Sequence, residues 1–122
     1  MDKVFIPNRS GHNFENAKVI NNKPYELVFI TEGHIRKNQV NQIYRQFAAA
    51  MKDAGPNDYF ITSSLGILNV IGGAILARKT GRLNLLLYRD GKYDPRELDI
   101  DAMLVGDTIP EDEENIEDKE NE

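Results

Sequence analysis

The chain has 122 residues, 40% of them hydrophobic, and contains neither cysteine nor tryptophan. That length suits one domain with a modest core, and the lack of cysteine excludes a disulfide framework and any thiolate metal site. The net charge of −5 is unevenly spread: residues 107–122 carry nine acids against Lys119, a balance of −8, so residues 1–106 carry +3.

Met1-Asp2-Lys3 leads directly into a strand-like Val4-Phe5-Ile6-Pro7. No signal segment is recognisable there, which makes the cytoplasm the expected compartment. Asn8 to Asn13 reads as a polar loop, and Phe14 to Ile20 as one or two helical turns with Phe14, Ala17 and Val19 or Ile20 facing inward. Asn21-Asn22-Lys23-Pro24 breaks that segment. Glu26 to Thr31 is a second strand, closed by Glu32-Gly33. A helix is expected from about Asn38 to Asp53, because Val40, Ile43, Tyr44, Phe47, Ala48 and Met51 recur at three- and four-residue spacing. Ala54-Gly55-Pro56-Asn57 stops it.

The stretch from Asp58 to Tyr88 reads as strand, helix, strand with short joints, the βαβ seed of a parallel sheet. Asp90-Gly91 is a strong hairpin signal, so Lys92 to Ile100 should return antiparallel to 83–88, with Pro95 confining it to the sheet edge. Asp101 to Val105 is expected to add a final turn. Beyond Gly106 the acidic composition offers too little apolar surface to offset ordering entropy, and residues 107–122 are expected to be a disordered tail. The expected fold is therefore a small three-layer, mostly parallel α/β sheet over residues 1–106. Its strands fall at about 3–7, 26–31, 58–63, 83–89 and 92–100, with an antiparallel edge hairpin and a buried central helix. Strand order is left open.

The central helix is apolar on all sides from Leu65 to Ala77. It is too short for a membrane span, which leaves deep burial or contact with a second copy. Gly66, Gly73 and Ala77 share one side and would admit a neighbouring backbone. A homo-oligomer is one expectation.

In an open parallel sheet, ligands bind outside the carboxyl ends of the strands. The loops there hold Arg9 and His12, then His34, then Ser63 and Ser64, then Arg89. Ser63 or Ser64 is expected to cap the central helix, and the free amides of its first turn favour an anion. An arginine could close over that anion with a bidentate contact. The two common phosphate-loop fingerprints, GxGxxG and GxxxxGK[ST], are absent, so no cofactor is implied. His34 and Glu32 lie two apart with no HxH or HExxH, and no metal site is implied either. A histidine base beside a serine would suit a phosphoester-type hydrolase, although GxSxG is missing. A second pattern, Arg36, Lys37, Arg45, Arg78, Lys79 and Arg82 interleaved with Tyr44 and Tyr88, would suit single-stranded nucleic acid. The acidic tail would then compete in cis.

Five stretches carry a resemblance: KVFIPNRSGHNF, ELVFITEG, IYRQF, NDYFITSSLG and GRLNLLLYRDGKY. Together they resemble small proteins encoded in tailed-phage genomes, over about Lys3 to Ile100. The resemblance implies a viral origin and a role in the host cytoplasm, and it transfers no functional residue. The first functional expectation is a non-catalytic, homo-oligomeric module binding a small anionic or nucleotide-like ligand near Ser63 and Ser64. Nucleic-acid binding stands second and hydrolysis third.

Overall fold

The computed structural model describes residues 1–36, 38–104, 106, 111 and 112. The expected tail and Lys37 therefore lie almost wholly outside the described residues. Five strands form the main sheet: β1 (Lys3–Arg9), β4 (Glu26–Glu32), β5 (Tyr59–Ile61), β6 (Arg82–Arg89) and β7 (Lys92–Asp99). Their spatial order is β4-β1-β5-β6-β7. The first three contacts are parallel and the last is antiparallel, as the small α/β reading requires.

Alternation along each strand divides the core in two. Phe5 and Phe60, with the half-buried Val28, Ile30, Leu83 and Leu85, face helices α1 (Val40–Ala50) and α2 (Gly66–Thr80). Val4, Ile6, Tyr59, Ile61 and Leu86 face the other way, towards Phe14, Ala17, Ile20 and Tyr25. Right-handed crossovers explain the division. The links β4-α1-β5 and β5-α2-β6 both advance towards β7, so both helices share one face. The link from β1 to β4 runs backwards and lies on the opposite face. It holds only a short 3₁₀ turn, Glu15–Ala17, and a hairpin of β2 (Val19–Ile20) and β3 (Lys23–Pro24). Phe14, Ala17 and Ile20 are buried as expected, whereas Val19 is exposed. This light cover leaves Leu27 and Phe29 of β4 only half-buried.

Three details depart from the expectations. The strand after Asp58 is only three residues, Tyr59–Ile61. Helix α2 buries one stripe, Leu68, Gly72 and Leu76, with Ile67, Ile71 and Ile75 half-buried beside it. Val70 stands 68% exposed on its outer side. The glycine that admits a close neighbour is Gly72, not Gly66 or Gly73: a methyl there would lie 2.1 Å from the Phe60 ring, whereas nothing comes within 4 Å at Gly66. The neighbour is thus an aromatic side chain of the same chain.

Buried polar groups tie the amino edge together. Asp58 accepts hydrogen bonds from the amides of Lys3 (2.8 Å) and Gly55 (2.8 Å). Asn84 Nδ2 donates to the carbonyls of Pro56 (2.8 Å) and Asp58 (3.2 Å). At the other end of α2, Gly81 takes φ +71° as the C-cap, a conformation glycine adopts without cost. A two-residue turn at Asp90 and Gly91, both with positive φ, joins β6 to β7. It leads into α3 (Ile100–Leu104) by way of β7. Among the described residues, no helix is long and apolar enough to cross a membrane.

Candidate functional site

Because β1, β4, β5 and β6 run parallel, their carboxyl ends meet at one edge. Arg9, His12, His34, Ser63, Ser64 and Arg89 all follow or end those strands. The chain leaves β1 for β4 on one side and returns to β5 on the other, so the strand order reverses around β1. That is the switch point at which open α/β sheets leave a crevice.

Within this edge the candidates separate. Arg9 and His12 line one cleft of about 550 Å³, on the lightly covered face, together with Ser10, Phe14, Tyr25 and Phe29. The guanidinium carbon of Arg9 sits 3.6 Å above the centre of the Phe29 ring. Its Nε donates to Glu32 Oε1 at 3.0 Å, which leaves the terminal nitrogens for another acceptor. The loop ends are braced beneath it. Asn8 Nδ2 donates to the Gly33 carbonyl at 3.1 Å, and the buried Thr31 hydroxyl lies 2.7 Å from the Pro7 carbonyl.

His12 stands in an aromatic corner. Its ring meets Phe14 edge-on at 4.9 Å and Tyr88 at 5.1 Å, and its Nε2 lies 3.1 Å from the Tyr93 hydroxyl. Burial, and then the neighbouring Tyr88, push the Tyr93 phenol above its ordinary range. Asn16 Nδ2 donates to the Gly91 carbonyl at 3.1 Å, holding this loop against the β6-β7 turn. Tyr88 faces Tyr93 in the hairpin register. Phe14, Phe29 and Tyr93 join the site beyond the residues expected from the sequence. The Asp90-Gly91 turn did carry the signal for the tyrosines, since a two-residue loop pairs the positions either side of it.

The remaining candidates lie elsewhere on the edge. His34 lines a smaller cleft of about 190 Å³ with Glu32, Arg36 and the start of α1. Arg89 is paired with Asp90 at 3.8 Å at the exposed hairpin tip. Neither serine caps α2. The N-cap is Leu65, without a side-chain bond, and Ser64 contributes only its carbonyl, which accepts from Asn69 Nδ2 at 3.1 Å. The helix begins one residue later than a serine cap requires. The amides of Gly66 and Ile67 therefore have no intrahelical acceptor, but the residues that line the Arg9 cleft do not include Ser63, Ser64 or Arg89.

The basic set for nucleic acid is likewise divided. Arg36 lies at the carboxyl edge, after β4. Arg78 and Lys79 end α2 and Arg82 begins β6, at the opposite edge. Arg82 also lies 3.9 Å from Glu97 and 4.0 Å from Asp99. Arg45 is on the exposed side of α1, and Lys37 lies outside the described residues. What the fold does gather is Tyr44, Arg78 and Lys79, on one groove between α1 and α2. No family model, curated protein or solved structure matches the chain.

Proposed function

We propose that this protein is a binding module without turnover for a small anionic, nucleotide-like ligand, held in the cleft between β4 and the loop after β1. One observation carries the reading: Arg9 is fixed over an aromatic floor at the sheet's switch point. The volume is within the usual range of about 300–1,000 Å³ for small-molecule sites. Phe14, Phe29 and Tyr25 give the cleft an aromatic lining. Arg9, held by Glu32 and stacked on Phe29, offers its free nitrogens to a phosphate or carboxylate. The groups beside His12 support a reading without turnover. Its ring meets a phenol, and the Ser10 hydroxyl accepts from the His12 backbone amide at 3.3 Å rather than facing its ring. That is no nucleophile–base pair. The exposed Val70 of α2 and Leu65 just before it are the surface through which the module would self-associate, and the likeness to tailed-phage proteins would place it in an infected cell.

The test is a titration of ¹⁵N-labelled protein with nucleoside mono- and diphosphates, followed by calorimetry for any that bind. Shifts should centre on Arg9 to Phe14 and Phe29. Arg9→Ala should abolish binding with an unchanged amide spectrum elsewhere. Binding retained by Arg9→Ala, or shifts confined to His34 or Ser64, would overturn the assignment. Release of phosphate or nucleoside during the titration would replace it with the hydrolase reading.

A further inference from the structure

The groove between α1 and α2 is a second surface, on the face opposite the ligand cleft. Its volume is about 780 Å³, and its walls are Tyr44 and Ala48 of α1 and Ala74, Ile75, Arg78 and Lys79 of α2. The floor is apolar and the rim at the end of α2 is cationic. Two basic residues in a last helical turn complement the helix dipole, which accounts for their place on α2 but not for the open apolar floor beside them. Among the described residues neither Arg78 nor Lys79 has an ion-pair partner.

The chain's own route supplies the occupant. The amides of Ile100 and Asp101 both donate to the Gly81 carbonyl, at 2.9 and 3.1 Å. Helix α3 therefore starts against the C-cap of α2, two residues from Lys79, and Gly106 follows only six residues after Ile100. Next comes the segment 107–122, with nine acids, one lysine and two isoleucines, Ile109 and Ile116. Sixteen extended residues reach roughly 50 Å, whereas α2 is only about 22 Å long. A second copy on the groove is the poorer fit, since a symmetric contact brings two cationic rims together.

We infer that the acidic segment 107–122 docks in cis on the α1–α2 groove, its carboxylates on Arg78 and Lys79 and an isoleucine on the floor. The groove is then closed to other polyanions until one displaces the segment, which makes the tail a built-in competitor at this surface.

The absence of cysteine from the chain allows a clean test. Asn115→Cys carries a nitroxide label on ¹⁵N-labelled, otherwise intact protein. At low salt the amides of Tyr44, Ala48, Ala74 and Arg78 should lose several-fold in intensity relative to Phe29 and Thr31. The loss should vanish at about 1 M salt, where screening acts within roughly 3 Å. It should vanish also when Glu111, Asp112, Glu113 and Glu114 are replaced by their amides. Uniform intensities at low salt would overturn the proposal, as would a loss that survives neutralisation. So would a loss seen only when labelled ¹⁴N chains are mixed with unlabelled ¹⁵N chains, which would mean docking in trans.

Discussion

Gly72→Ala offers the sharpest test of how the two halves of the core meet. The new methyl carbon would lie 2.1 Å from Phe60 Cε2 and 2.3 Å from Cζ, against an ordinary contact of about 3.5–4 Å. Phe60 is fully buried in the middle strand β5, among Phe47, Met51, Leu68 and Leu76. Its ring would have to withdraw by about 1.5 Å into a core with no slack. Overpacking of this kind costs about 1–3 kcal/mol, and the geometry points to the upper end. Alanine returns roughly 1 kcal/mol of helix propensity, so the net loss should be about 2 kcal/mol. The adjacent Gly73→Ala is the control. Its methyl would sit at an ordinary 3.6 Å from Leu83 Cδ1, and the variant should gain up to about 1 kcal/mol. Urea unfolding followed by circular dichroism should thus place two neighbouring substitutions about 3 kcal/mol apart with unchanged slopes. Equal midpoints for the two variants would refute the packing account. Phe60→Leu in the Gly72→Ala background should recover part of the loss, because the smaller side chain vacates the clashing volume.

Ser64→Ala should change stability by less than about 0.5 kcal/mol, since the hydroxyl caps nothing; a loss near 1 kcal/mol would restore the cap. Asp58→Ala strips two amides of their charged acceptor and should cost about 3 kcal/mol by urea unfolding. Tyr59 donates to Glu97 at 2.6 Å, and burial followed by that carboxylate raises its phenol. The unfolded phenol ionises first, near pH 10, so the folded state binds more protons above that pH. This part of the stability is whole below pH 10 and falls as pH rises, by at most about 1.4 kcal/mol per unit. Tyr59→Phe should flatten that decline relative to the parent; parallel curves would refute the linkage.

Most of the main sheet and its two long helices were legible because they obey local rules that tertiary packing then honours. The Asp90-Gly91 turn, the 40–51 periodicity and the βαβ spacing are of this kind. Phe14 to Ile20, expected as helical turns, instead divides into a 3₁₀ turn and strand β2. Strand order has no local signature, since nothing in Val4-Phe5-Ile6 states that Glu26 and Tyr59 flank it. The apolar circumference of α2 misled in a different way. Burial chose one stripe, and its centre is a glycine because β5 presents a phenylalanine there. The serine cap failed by one residue, the usual uncertainty of a helix end. At the site, topology alone brought the six candidates to one edge. Only side-chain geometry could select Arg9 and His12 from among them, because the deciding groups, Phe14 and Phe29, look like plain core in the sequence.

The placement of β1 has a kinetic consequence. β1 is an inner strand of the sheet and precedes the other four in the chain, yet its partners lie far downstream: Lys3 pairs with Glu26, and Val4 with Tyr59. Closing loops of 23 and 55 residues is slow beside zipping β6 onto β7 across two residues. A growing chain therefore carries Val4-Phe5-Ile6 with one flank unpaired until Tyr59 and Phe60 have been added. Pulse-labelled hydrogen exchange during refolding should find Leu83 to Leu87 protected before Val4 to Ile6. The reverse order would mean that β1 gathers its neighbours around it rather than being inserted between them.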